Sequence, residues 1–394
     1  MPKAGKPRLL FLCSRPPYPP IGGDRLKNYY LLKELAKSFN LTLICTGNDQ
    51  LSAEGQAYLG QYAEVHFWHK SKAHFLKSAL SAPFRLPIPF QTSLYYFGDV
   101  AKKIRQLAKS HDAVFCNIIR TAMYAEDLNM PKFCDIGDNN GVYYAQLLKN
   151  SKPSLMSLYC FVDQPLIERY ERHIIATFDQ CFLFNEEELA DYGAPSKLTL
   201  IPHGVNPQLL ADQNSDPAFR NTLVFLGKMD TVPNVNAVEW FVANVMPLLP
   251  ERIKFAIIGA NPSERVKALE TDRVSVLGFV VDPYPALKGA LAVVAPMQLG
   301  RGIQNKVLEA MATAGLCIVS NAASKAFKGA ENGREMLVAD QPQEYVDLIL
   351  KIASNPDAFN EIRLAARRYI AENNSWERAG GIYTAAIQDV LSGS

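Results

Sequence analysis

Short apolar runs recur along this chain, separated by amphipathic stretches, and that rhythm predicts its elements. Residues 8–13 (RLLFLC) read as a first buried strand, followed by 41–46, 64–68, 113–116, 132–136 and 180–183. Beyond a polar segment at 208–221 the alternation becomes more regular, with strands at 223–226, 253–258, 274–277, 291–295 and 316–319. Helical patterns fill the gaps, among them one carrying Tyr29, Leu31, Leu32, Leu35 and Ala36, and others at 155–176, 236–245 and 300–315. Asp282 then Pro283 reads as an N-cap and first-turn pair for a helix through Leu287. Alternating strands and helices predict an α/β fold with parallel sheets. With 394 residues there is chain for two doubly wound domains with a cleft between them. Their expected spans are 1–206 and 207–372, with a closing helix at 373–394 packing back on the first domain.

Composition narrows the class. The net charge is +2, with 20% charged and 48% hydrophobic residues, which points away from nucleic acid and from disorder. The seven cysteines show no CxxC spacing and lie in or beside apolar runs, as buried thiols of a reducing cytosol would. No apolar run approaches the ~18 residues that span a bilayer, so a cytoplasmic protein is expected, either soluble or peripheral on the inner face of the membrane. Residues 70–97 carry Lys70, Lys72, Lys77 and Arg85 among Phe75, Phe84, Phe90, Tyr95, Tyr96 and Phe97. Such a stretch suits peripheral membrane contact or a groove for a lipid-linked acceptor, or else an irregular loop whose aromatics pack on their own domain.

The chemistry concentrates in GRGIQNKVLEAMATAG, residues 300–315. Gly300 and Gly302 open this stretch, Gly315 is placed for a left-handed C-cap, and Ile303, Val307, Leu308, Met311 and Ala312 form its apolar side. Arg301, Asn305 and Glu309 fall at i, i+4 and i+8. A carboxylate beside the apolar face needs a ligand hydroxyl or a cation, and Lys306 at i−3 is the alternative to a ribose. The helix N-terminus suits a phosphate, helped by Arg301 and Lys306. Elsewhere Gly22-Gly23 follows the first strand after a Pro-rich loop, Lys228 ends the 223–226 strand, and 135–141 (DIGDNNG) gathers Asp135 and Asp138 at a strand end or in a turn. His203 caps its turn in IPHGVN.

Taken together, PPYPPIGGD, IPHGVN, GKMDTVPNVNAV and RGIQNKVLEAM resemble the GT-B glycosyltransferases of family 4 (group 1), over nearly the whole chain. The likeness is nearest to the sugar transferases of exosortase and exopolysaccharide loci. It implies retaining transfer from a nucleotide diphosphosugar to a glycan or lipid-linked acceptor, without metal or other cofactor. Glu309 matches the second glutamate of the family's E-x7-E motif, which holds the ribose, whereas Arg301 stands where the first should be. Lys228 matches the first diphosphate-binding cation, and Pro233 stands at the second. Gly22 and Gly23 match the loop that approaches the phosphates, Phe279 and Val280 the loop that meets the base, and Gly302, Ile303 and Gln304 the donor-binding stretch. Asp138 or Asp135 lies nearest the family's first-domain histidine. Lys228, Arg301 and Asp138 are thus the expected catalytic groups, with Arg301 serving phosphate or a carboxylate on the donor sugar. A non-catalytic sugar-binding scaffold and a nucleotide-sugar epimerase are the alternatives on the same fold.

Overall fold

A computed structural model describes residues 5–393 apart from 21–22, 138–139, 151–154, 194–195, 212–213 and 299–303. Its strands are β1 (Arg8–Cys13), β2 (Asn40–Gly47), β3 (Ala63–His69), β4 (Ala113–Asn117), β5 (Lys132–Gly137), β6 (Gln180–Leu183), β7 (Leu198–Leu200), β8 (Thr222–Leu226), β9 (Lys254–Ile258), β10 (Val274–Gly278), β11 (Ala292–Ala295), β12 (Cys317–Val319) and β13 (Leu337–Val338). They form two sheets, ordered β3-β2-β1-β4-β5-β6-β7 and β10-β9-β8-β11-β12-β13. Neighbouring strands run parallel, as in β1 with β4 and β8 with β9. Parallel strands covered on both faces must be apolar throughout, and residues 9–13 of β1 and 292–295 of β11 are buried without alternation. In each sheet the order reverses beside the first strand, between β1 and β4 and between β8 and β11. Ligands of doubly wound folds bind outside the carboxyl ends of strands at such reversals.

The chain divides into two compact units, Met1–Ile201 with Trp376–Ser394, and Pro202–Ser375. The expected linker at 208–221 lies inside the second of these. It holds the Pro207–Ala211 helix and the Pro217–Phe219 turn, and Asp216 N donates to Pro285 O at 2.9 Å. Its polar composition reflects a surface connection rather than a domain boundary. Strands β7 and β13 escape sequence reading because two or three residues at a sheet end carry no readable period.

Helix Trp376–Ser392 completes the first unit. Trp376 stacks on Tyr30 at 5.6 Å, and Tyr383 packs against Phe115 and Phe182. The Tyr383 hydroxyl donates to Asp135 Oδ2 at 2.6 Å, and Lys27 Nζ approaches the same oxygen at 3.0 Å. Asp135 is fully buried, so both partners compensate its desolvation. Removing the cation should cost more than removing the hydroxyl. Urea unfolding of Lys27→Met is expected to show a loss of ~3–5 kcal/mol, and Tyr383→Phe a loss of ~1.5–3 kcal/mol; wild-type midpoints in both would contradict this account.

Candidate functional site

The site grows from the exit of β8. Gly259, at φ 154°, follows β9, and a Cβ there would lie 1.6 Å from Gly227 O, so only glycine lets the two strand exits close together. Lys228 then points outward, 61% exposed, 3.2 Å from Asp230. Pro233 sits in the first turn of helix Val232–Asn244, where its missing N–H costs no hydrogen bond. One residue on, Asn234 ties the site together. Its Nδ2 donates to Lys228 O at 3.0 Å, and its Oδ1 accepts from Lys306 Nζ at 2.8 Å.

Lys306 is 7% exposed. Its Nζ also donates to Gln304 Oε1 at 3.1 Å, lies 3.7 Å from Met297 Sδ, and sits 4.8 Å above the Phe225 ring. These partners satisfy the ammonium without neutralising it. Burial pushes its pKa down to about 8, with Glu309 opposing. Burial likewise pushes Glu309 up to about 7 against the pull of Lys306. Near neutral pH the neighbours therefore hold a charged lysine and a carboxyl poised between its two forms.

Both belong to helix Asn305–Ala312, which begins after Gln304 and is shorter than the 300–315 expected. Val307, Leu308, Ala310, Met311 and Ala312 bury one side of it. Its left-handed residue is Ala314, at φ 58°, rather than Gly315. Gly315 is needed for a different reason: a Cβ would meet Leu287 O at 2.9 Å and Ala310 O at 3.0 Å. Of the proposed i, i+4, i+8 row, Asn305 and Glu309 lie on the helix. Arg301, Gly302 and Ile303 fall outside the described residues, as do Gly22 and Asp138.

The structure thus brings together Gln304, Lys306 and Glu309, adds Asn234, and ties the Lys228 backbone to them while the Lys228 ammonium lies beside Asp230. It also sets Tyr284 near Glu309: the tyrosine's pKa is raised by burial first, then by the nearby Glu309 and Asp282 carboxylates. Asn234 and Tyr284 escaped sequence reading because each acts through a tertiary neighbour, though Asn234, six residues after Lys228, sits within the quoted GKMDTVPNVNAV. Asp282 Oδ1 accepts from Tyr284 N at 3.2 Å, and the Tyr284–Gly289 helix starts one residue after Pro283. Phe279, 73% exposed, and Val280 leave edge strand β10, two strands out from β8. In the first unit Gly23 opens helix Gly23–Leu35, with open space where a Cβ would be. Asp135, enclosed by Lys27 and Tyr383, offers no surface to a sugar.

Residues 220–355 match the family described as Glycosyl transferases group 1, a span running from the edge of β8 through helix Pro342–Ser354. An uncharacterized 44.6 kDa protein in the cps region of Klebsiella pneumoniae is 19% identical over 93% of this chain and 96% of its own. Among solved structures, the sucrose-phosphate synthase of Thermosynechococcus elongatus superposes with a TM-score of 0.67 at 14% identity, covering 99% of this chain and all of that one. Anabaena HepE, solved with UDP, gives 0.64 at 12% identity, covering 99% of this chain and all of its own; it has also been solved with UDP and glucose and with UDP-glucose. With two parallel sheets of the same strand order, the chain has the GT-B fold of these structures, and its residues 220–355 match the group 1 glycosyltransferases.

Proposed function

We propose that the protein transfers a sugar, with retention of the anomeric configuration and without a metal ion, from a nucleotide diphosphosugar to a glycan or lipid-linked acceptor in cell-surface polysaccharide synthesis. The cps setting of the Klebsiella relative and the UDP-glucose bound by HepE support the acceptor and donor classes. The observation that carries the reading is the pair of lysines joined through Asn234 at the β8 exit, next to Glu309. In it Lys228 and Lys306 receive the diphosphate, Lys306 standing in for the cation that Pro233 cannot supply. Glu309 accepts the ribose hydroxyls, the loop of Phe279 and Val280 meets the base, and Gly22 and Gly23 approach the phosphates. Arg301 is then left to the donor sugar, and Asp138 to the reacting centre.

As the bond from the anomeric carbon to the diphosphate breaks, its electron pair goes to the leaving oxygen. The acceptor hydroxyl attacks from the same face and gives its proton to a phosphate oxygen. The lysines stabilise the charge that develops on the diphosphate. Such a donor is worth ~2.7–4 kcal/mol of barrier, so Lys228→Ala is expected to lower kcat by roughly 10²–10³. Near-normal turnover would remove Lys228 from this role.

Binding can be tested apart from catalysis. Calorimetric titration of UDP, GDP and dTDP, with chelator present, should show one saturable ligand, weakened in Glu309→Ala and in Lys306→Met. If none of the three binds, the non-catalytic scaffold becomes the better reading. The lowered pKa of Lys306 also sets a pH dependence: below about 8 the ammonium attracts diphosphate, and above it the amine does not. Affinity should therefore fall as pH rises through that value, and Lys306→Met should lack that fall; parallel profiles in the two proteins would show that Lys306 does not face the phosphates.

A further inference from the structure

In the basic, aromatic stretch at 70–97, aromatic rings pack on their own domain: Phe75 packs edge-on to Tyr95 and Phe97, and Tyr96 stacks on Tyr124 at 5.1 Å. Lys70 is buried, bonded to Asp99 at 2.6 and 2.8 Å, and Arg85 is held by Ser93 O and the Tyr96 ring. What the stretch leaves outside is aliphatic. On helix Lys72–Ser81, Leu76 and Leu80 lie one turn apart, and Leu80 is 70% exposed; Leu86 follows just after.

A second exposed stripe belongs to the same unit. On helix Leu155–Thr177, Leu158, Phe161 and Val162 occupy i, i+3 and i+4, and Phe161 is 68% exposed. A buried carboxylate fastens the two elements together. Asp163 accepts from Phe90 N at 2.7 Å and from Gln91 N at 3.4 Å, capping the short helix Phe90–Leu94, while Tyr159 meets the Phe90 ring at 6.4 Å. These six residues make up half of the large exposed hydrophobics found among the described residues. A soluble face gains nothing from such clustering.

Along the two segments that carry them, the charged residues have one sign. Residues 65–98 contain no Asp or Glu, nor do residues 140–162. Lys72 and Lys77 are exposed on the helix that carries Leu76 and Leu80. Further along the second helix, Glu168 is paired with Arg172. Lysines flanking leucines on a short helix are depleted from the cores of protein interfaces but suit the boundary between lipid headgroups and acyl chains. Among the described residues no helix is long and apolar enough to cross a membrane, so any such contact lies flat.

We propose that this face, built from Leu76, Leu80, Leu86, Leu158, Phe161 and Val162 with Lys72 and Lys77, docks the first unit on an anionic lipid bilayer. The apolar side chains enter the headgroup boundary and the lysines meet the anionic headgroups. The proposal does not depend on the donor-site residues Lys228, Lys306 and Glu309, which belong to the other unit.

Vesicle co-sedimentation tests it with the full chain. Vesicles of phosphatidylcholine mixed with phosphatidylglycerol should bind the protein, those of phosphatidylcholine alone should bind it far less, and added salt should weaken binding. Lys72→Gln with Lys77→Gln should reduce the partition coefficient by about tenfold or more, and Leu80→Ser with Phe161→Ser by at least as much. All seven native cysteines are buried, so Leu76→Cys can carry an environment-sensitive fluorophore selectively. Its emission should shift to the blue on anionic vesicles, while a label at Val281→Cys, exposed in the second unit, should not respond. The proposal is overturned if wild type ignores anionic vesicles or if the substituted proteins bind them as wild type does. It is equally overturned if both labels respond alike, or if the same substitutions instead abolish a self-associated dimer.

Discussion

A buried ammonium bonded, among the described residues, to neutral oxygens and a thioether is costly to make, and the second unit is arranged around one. Lys306 leaves water to lie on Asn234, Gln304, Met297 and the Phe225 ring, and its lowered pKa records the cost. Hydrogen bonding and the nearby Glu309 carboxylate offset part of it. Because Asn234 also grips the Lys228 carbonyl, the same contact that shelters one lysine sets the backbone that presents the other. Both depend on the reversal of strand order, which brings the exits of β8 and β11 side by side.

Much of this architecture could be read before any coordinates. Apolar runs marked the central strands because a parallel strand covered on both faces has no polar positions to blur the signal. Lys228 and Glu309 stood out through residue type and motif, and the structure places them on neighbouring elements. Legibility failed where position depends on partners distant in sequence. Nothing local tells that Asn234 would bond both Lys228 and Lys306, that Tyr284 would stand by Glu309, or that Asp135 would vanish beneath Lys27 and Tyr383. The same limit makes the polar 208–221 segment look like a linker, and leaves open in the sequence whether the aromatics of 70–97 face outward or pack on their own domain, which tertiary contacts decide.

The two units solve the problem of buried charge in different ways. In the first, Asp135 is closed off by a cation and a hydroxyl, and the network serves stability. In the second, Lys306 and Glu309 are neighbours whose pKa values shift toward each other, and both keep titratable capacity near neutrality. Displaced pKa values beside a strand-order reversal are the pattern expected where a ligand completes the electrostatics. The difference lies in what encloses each group: aromatic packing from the Trp376–Ser392 helix on one side, the strand exits of β8 and β11 on the other.

The Trp376–Ser392 helix also sets an order of events during synthesis. The second unit is continuous in sequence, so all of its strands have been made before the residues that finish the first unit appear. Until the ribosome releases the last turns of that helix, Asp135 has Lys27 but lacks the Tyr383 hydroxyl, and Tyr30 lacks its indole cover. A nascent chain therefore carries an uncapped first sheet while a later domain is already able to fold, which exposes it to chaperones and proteases from the amino-terminal side. Stop codons or frameshifts within the Trp376–Ser392 helix would thus act as lesions of the first unit, despite lying far in sequence from its strands.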